Sequence, residues 1–337
     1  MTKEKWELSS VGPFTALFRI PLERESKNDR VLKKNLYDTC MKITPIFSFV
    51  IYLCLLTGRP ACAQVANSTT CFTNFVNIGG RHLEMASFGH GTPTVIVEAG
   101  LSEPAVESGS WKTVVDEVAK TTRICIYDRA GLGKSDAVTN ASRTSLDFVK
   151  DLHNLLVNAK VPPPYILVGH SGGGFTVRLY GSQYPGELAG VVLVDATMPN
   201  QWFKFLALMP PESPQEQENI RKTRDAFKQR AGPQSFHYLP ERLDFNASSA
   251  EVNAAGDLGN KPLIVISHSR DWRVFPKLPK DVSDKIGQSW NEGQNDLCRL
   301  SSNSTHETAI KAGHLVQRED PQLVINAILK VVDATKK

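Results

Sequence analysis

Val168-Gly169-His170-Ser171-Gly172-Gly173-Gly174 is the stretch whose reading decides the fold. It is led by Pro164-Tyr165-Ile166-Leu167-Val168, a short bulky apolar run that predicts a buried strand. Phe175-Thr176-Val177-Arg178-Leu179-Tyr180 then opens a helix-length segment that stops before Pro185-Gly186. A serine framed by glycines at a sharp strand-to-helix turn has the G-x-S-x-G pattern, which holds the hydroxyl clear of the backbone. Glycines are needed there because the turn is strained and passes close to neighbouring chain, where a Cβ would collide. Ser171 would stand at a helix N-terminus, where unpaired N–H groups can stabilise developing negative charge.

Outward from this turn, strands and helices alternate. Phe75–Ile78 and His82–Ala86 flank Gly79-Gly80 as a predicted hairpin, and Thr94–Val97 is a buried strand running into Glu98-Ala99-Gly100-Leu101. Trp111, Val114, Val115 and Val118 have helical spacing within Ser110–Ala119. Arg123–Tyr127 is the next strand, entering Asp128–Ser135, and Leu146, Val149, Leu152, Leu155 and Leu156 mark an amphipathic helix. Gly190–Val194 ends at Asp195, Pro262–Ile266 ends near Ser267-His268-Ser269-Arg270-Asp271, and a last strand around Thr308–Ile310 leads to Ala312-Gly313-His314. The closing helix takes Asp320 as N-cap and Pro321 at its first position.

Continuous apolar strands alternating with helices imply an α/β fold with a mostly parallel sheet covered on both faces. In such sheets the site lies beyond the carboxyl ends of the strands, where these polar clusters fall. The alternation breaks over 196–260, with apolar Trp202–Met209, a Pro210-Pro211 stop and a polar helical stretch from Ser213 to Ala231. That segment is expected to be a cap inserted between the sixth and seventh strands. It divides the core into 64–195 and 261–337.

Residues 1–63 hold a localisation signal. Lys42, the apolar run Ile46–Leu56 and Ala61-Cys62-Ala63 have the order of a secretory signal peptide, with cleavage expected after Ala63. Met41-Lys42 begins that pattern cleanly, so a start at Met41 in place of Met1 is an expectation to be tested. A secreted or periplasmic protein is expected, with an uncleaved membrane anchor as the alternative. Ten of the 39 Lys/Arg and six of the 35 Asp/Glu lie in 1–63, leaving 29 of each in the body. A neutral body argues against nucleic acid, and no membrane contact beyond the signal is expected. Cys71, Cys125 and Cys298 would remain after cleavage, allowing a Cys71–Cys298 bridge beside a buried Cys125. No Cys/His spacing suggests a metal site. Asn67, Asn140, Asn246 and Asn303 each begin an N-x-S/T sequon.

The Gly169-His170-Ser171-Gly172-Gly173 turn, the Tyr127–Ser135 loop, Leu193-Val194-Asp195 and Ala312-Gly313-His314 together resemble the α/β-hydrolase family across 72–337. Glu98-Ala99-Gly100, in place of the family's common His-Gly, is most like its exported bacterial esterase-like members. The resemblance implies chain order Ser, acid, His, met by Ser171 as nucleophile, Asp271 as acid and His314 as base. Asp195, one strand earlier, is the alternative acid and His268 the alternative base. His170 is assigned a structural or pocket-wall role, and Asp128 and Arg129 a structural pairing. The oxyanion hole is assigned to the N–H groups of Gly172 and Leu101. Trp202, Phe203, Phe205, Leu206 and Met209 either line an acyl pocket or form the cap's own core. The activity implied is hydrolysis of a small-molecule carboxylic ester through an acyl-enzyme, without metal or organic cofactor. Peptidase, lactonase or C–C hydrolase chemistry, or a non-catalytic binding role, are the alternatives.

Overall fold

A computed structural model describes residues 72–139, 141–269 and 278–336. The expected cleavage site, Met41, Cys71, Asn67, Asn140 and Asp271 lie outside the described residues. Among those described, eight strands form one sheet: β1 (Phe72–Asn77), β2 (His82–Phe88), β3 (Thr94–Glu98), β4 (Ile124–Tyr127), β5 (Tyr165–His170), β6 (Leu188–Val194), β7 (Leu263–His268) and β8 (Ser304–Ala309). Their order is β1-β2-β4-β3-β5-β6-β7-β8. β2 is antiparallel to β1 and β4, and every pairing from β4 through β3 to β8 is parallel. The fold is α/β, with a mostly parallel sheet and helices on both faces.

Alternation along the strands assigns each side chain to a face. Val95, Val97, Ile166, Val192 and Ile264 pack with α1 (Lys112–Val118) and α8 (Pro321–Ala334). Ile96, Leu167, Val191, Leu193 and Val265 pack on the opposite face with α2 (Ser145–Asn158) and α3 (Gly173–Gln183). β3, β4, β5 and β7 are buried along their whole length, which is why they read as unbroken apolar runs. Burying one such Val, Leu or Ile contributes about 1.5–3 kcal/mol. β8 begins four residues earlier than the Thr308–Ile310 expectation. It is an edge strand of sequence STHETA, whose outer residues are wet and carry no apolar run, while Ile310 lies past its end and is exposed.

Between β6 and β7 stand α4 (Gln201–Ala207), α5 (Glu218–Ala231), a 3-10 turn (Ser235–Tyr238) and α6 (Phe245–Ala254). Phe205, Met209, Ile220 and Phe227 pack there against Val282, Ile286 and Trp290 of α7 (Lys280–Leu297). This insertion is fastened to the sheet domain. The Arg143 N–H donates to Arg242 O, the Asp244 N–H to Arg143 O, and the Ser145 N–H to Ser248 Oγ. Asp244 caps α6 by accepting from the N–H groups of Asn246 and Ala247. Among the described residues Cys125 and Cys298 form no disulfide.

Candidate active site

Ser171 leaves β5 with φ of +49°, a left-handed conformation costly for a side chain with a Cβ. It is held there from both sides. Its N–H donates to Val194 O at 3.1 Å, and its carbonyl accepts from the Thr197 N–H at 2.9 Å. The flanking glycines make the turn possible. A Cβ on Gly169 would come 2.8 Å from Val177 Cγ2, and one on Gly173 would run into the Glu98 carbonyl.

Ser171 Oγ lies 2.9 Å from His314 Nε2, and His314 Nδ1 lies 2.6 Å from Asp195 Oδ2. The carboxylate accepts only, so Nδ1 carries the ring proton and Nε2 faces the hydroxyl as the acceptor. The structure brings together Ser171, His314 and Asp195. This corrects the assignment of Asp271: both ring nitrogens of His314 are already engaged, and the acid on Nδ1 comes from β6, next to the serine's own strand in the sheet. Asp195 has φ of +45°, so the acid turns out of its strand end much as the serine does.

Asp195 is fully buried and its hydrogen-bonding capacity is filled. Oδ1 accepts from the Trp290 indole N–H at 3.0 Å and from the His268 backbone N–H at 3.1 Å. His268 Nδ1 lies 2.9 Å from Oδ2. Burial alone would push this carboxyl up; the hydrogen bonds from His268 and His314 outweigh it and hold the group well below the ordinary carboxylate range. His268 therefore shares the acid with His314 and makes no bond to Ser171.

His170 is buried and spans two parts of the site. Its Nε2 donates to the His314 carbonyl at 2.9 Å. Its Nδ1 lies 3.3 Å from Gln317 Nε2 and 3.5 Å from Glu103 Oε2. Glu103 in turn accepts from the Gly100 N–H at 3.1 Å. Burial raises the Glu103 carboxyl, but the hydrogen bond and charge of His170 prevail and hold it at about 2.

The backbone N–H groups of Gly172 and Leu101 have no acceptor among the described residues. Gly172 sits at the start of α3 and packs against the Leu101 side chain, so the two amides belong to facing turns. The turn carrying Leu101 is fixed by a buried ion cluster. Arg129 Nη1 donates to Glu98 Oε1 at 2.9 Å and to Ala99 O at 2.7 Å; Nη2 donates to Glu241 Oε1 at 3.0 Å and to Gly100 O. Glu241 Oε1 also accepts the Ser102 N–H at 2.7 Å, and Tyr127 donates to Glu98. Arg129 does not pair with Asp128, as the sequence suggested. Asp128 instead accepts the Val106 N–H at 3.0 Å. Glu98-Ala99-Gly100 is thus a turn whose carbonyls are pinned by a guanidinium, and the glutamate is that guanidinium's counter-ion.

Ser171 and His314 open into a cavity of about 390 Å3 under the cap. Trp202 and Phe205 line it as expected, together with Leu101, Trp290 and Phe245. Phe203 and Met209 do not line it. Phe203 faces solvent on the outer side of α4, and Met209 is buried in the cap's own core, so only part of the apolar run reaches the cavity. Trp290, Gln201 and Arg230 also line the cavity and were missed in the sequence. The signal for Trp290 was present, since Val282, Ile286 and Trp290 recur every four residues. Among the described residues no cluster of three His, Cys, Asp or Glu could hold a metal ion.

The sequence model for the alpha/beta hydrolase fold matches residues 93–263. An uncharacterized Bacillus subtilis protein, YqjL, is 28% identical over 239 residues, covering 71% of this chain and 83% of the relative. Among solved structures, a haloalkane dehalogenase loop variant from Bradyrhizobium elkanii superposes with a TM-score of 0.56 at 13% identity, covering 79% of this chain and 97% of that one. A 2-hydroxy-6-oxo-6-phenylhexa-2,4-dienoate hydrolase from a Rhodococcus strain gives 0.53 at 14% identity, covering 78% and 99%. Similarity at that level establishes shared architecture and leaves the chemistry to the site. With the strand order, the serine turn and the matched span in agreement, the chain belongs to the alpha/beta hydrolase fold family.

Proposed function

We propose that the protein is a serine hydrolase that cleaves a carboxylic ester through an acyl-enzyme. The observation that carries this is the unbroken chain from Ser171 Oγ through His314 to Asp195, at 2.9 and 2.6 Å. Ser171 Oγ attacks the ester carbonyl carbon while its proton passes to His314 Nε2. Asp195 keeps the imidazole in the required tautomer and stabilises the imidazolium. The carbonyl oxygen, now an oxyanion, accepts from the Gly172 and Leu101 N–H groups, each contributing about 3 kcal/mol. Collapse of the tetrahedral species expels the alcohol, which takes its proton from His314. Water then attacks the acyl-enzyme by the same route, His314 again acting first as base and then as acid.

Serine at the elbow sets this chemistry apart from that of relatives whose covalent intermediate forms on a carboxylate. Turnover of aryl esters by the purified protein, lost in both Ser171→Ala and His314→Ala, tests the reading; equal turnover by the variants would refute it. We also infer export, with residues 1–63 removed as a signal peptide, on the strength of the Lys42, Ile46–Leu56 and Ala61-Cys62-Ala63 order.

A further inference from the structure

We infer that the substrate is an anionic ester, an apolar body bearing a carboxylate that Arg230 receives in the cap. The choice of an ester rests on the function proposed above, whereas the carboxylate subsite stands on separate observations.

The first observation is the charge on the cavity wall. Among the described lining residues Arg230 is the one fixed charge, and no carboxylate lines the cavity. The second is the contrast between Arg230 and its neighbours. On the same helix, Lys222, Arg224 and Lys228 each have a glutamate partner, at 2.7, 2.7 and 2.5 Å. Arg230 has none. Its guanidinium lies 5.1 Å from the centre of the Trp202 ring, and its Nη1 makes one long contact of 3.3 Å to the Ala226 carbonyl. The side chain is exposed, and the protein packed around part of it pulls its pKa down. A guanidinium laid over an indole at the cavity wall, with no carboxylate beside it among the described residues, presents a planar fork that matches a carboxylate.

The third observation concerns what lies between this charge and the nucleophile. Trp202 stacks under Arg230 and meets Phe205 and Phe245 edge-on at ring-centre separations of 5.9 and 5.8 Å. Ser171 and His314 face the same cavity. A ligand with a scissile ester at Ser171, an apolar body along these rings and a carboxylate at Arg230 satisfies each surface it meets. A neutral ester leaves the guanidinium unpaired, and a cationic one is repelled.

Binding is tested apart from turnover. Octanoate and octanamide are titrated against the intrinsic tryptophan fluorescence of the full mature protein and of Arg230→Gln and Arg230→Lys. Octanoate is expected to bind at least about tenfold more tightly than the amide in the wild type. That preference should vanish in Arg230→Gln and survive in part in Arg230→Lys. Kinetics follow, comparing kcat/KM for the 4-nitrophenyl monoester of suberic acid with 4-nitrophenyl octanoate. The acid-bearing ester should be preferred, mainly through KM, in wild type only. Equal binding of octanoate and octanamide, or a preference unchanged in Arg230→Gln, would overturn the subsite while leaving the esterase reading intact. A binding preference that depends on Arg230, with neither ester hydrolysed, would uphold the subsite and refute the esterase.

Discussion

Asp195 accepts from two histidines at once: His314 Nδ1 at 2.6 Å from Oδ2, and His268 Nδ1 at 2.9 Å from the same oxygen. The acid's position is therefore determined by three elements, with β6 supplying the carboxylate, β7 supplying His268 and α7 supplying the Trp290 N–H on Oδ1. Asp195→Asn replaces an acceptor with an amide that would impose the wrong tautomer on His314. A fall in kcat of about 10⁴-fold is expected, as for removal of this charge in other triads. Asp271→Asn should stay within a few-fold of wild type. Steady-state kinetics on one aryl ester compares the two, and the opposite ranking would reassign the acid.

Trp290→Phe removes a single donor from Asp195 while keeping a ring against His314. One lone pair of a buried carboxylate then lacks its partner. We expect kcat to fall about tenfold with KM little changed, because the indole N–H acts on the acid rather than on substrate. A change in KM alone would place Trp290 in the substrate wall only.

Arg129→Met leaves Glu98 and Glu241 buried without their counter-ion and frees the Ala99 and Gly100 carbonyls. Breaking such a pair from one side costs about 3–5 kcal/mol. Urea denaturation should show a loss of that size, and labelling of Ser171 should slow because the Leu101 turn is no longer pinned.

The low carboxyl of Glu103 makes a pH-dependent contribution to stability. Its folded value of about 2 lies below the ordinary 4.5, so the contribution is fully present above about pH 4.5 and is lost as the pH falls through about 2. The stability gap between wild type and Glu103→Gln, measured by chemical denaturation, should be widest above pH 4.5 and close toward pH 2. A gap independent of pH would show that His170 does not hold the charged form.

Most of the architecture was legible in the sequence because β3 to β7 are buried runs separated by helices of clear period. The polar edge strand β8 was misplaced and α7 was passed over, since the first has no apolar run and the second alternates apolar contacts with long polar intervals. Ser171 and His314 were legible from the turn that presents each. Asp271 was preferred to Asp195 in the sequence because both follow apolar strands, and the deciding fact, which strand lies beside β5, is a property of the sheet order. His268 was considered only as a rival base, whereas its place is on the acid. Arg230 was invisible for the opposite reason: a cation in a polar helix rich in Lys, Arg and Glu looks like any other member of a solvated face until its place on the cavity wall is seen.

Export is checked by N-terminal sequencing of the mature protein recovered from the host. Gln64 as first residue supports removal of 1–63, and an intact Met1 or Met41 contradicts it.

The central claim, that Ser171 is a nucleophile activated by His314 and Asp195, is tested most directly by reaction with a fluorophosphonate probe followed by mass measurement. We predict one adduct on Ser171 in the wild type, none in Ser171→Ala, and strongly slowed labelling in His314→Ala and Asp195→Asn. Labelling that persists in Ser171→Ala, or proceeds at the wild-type rate without His314, would contradict the account.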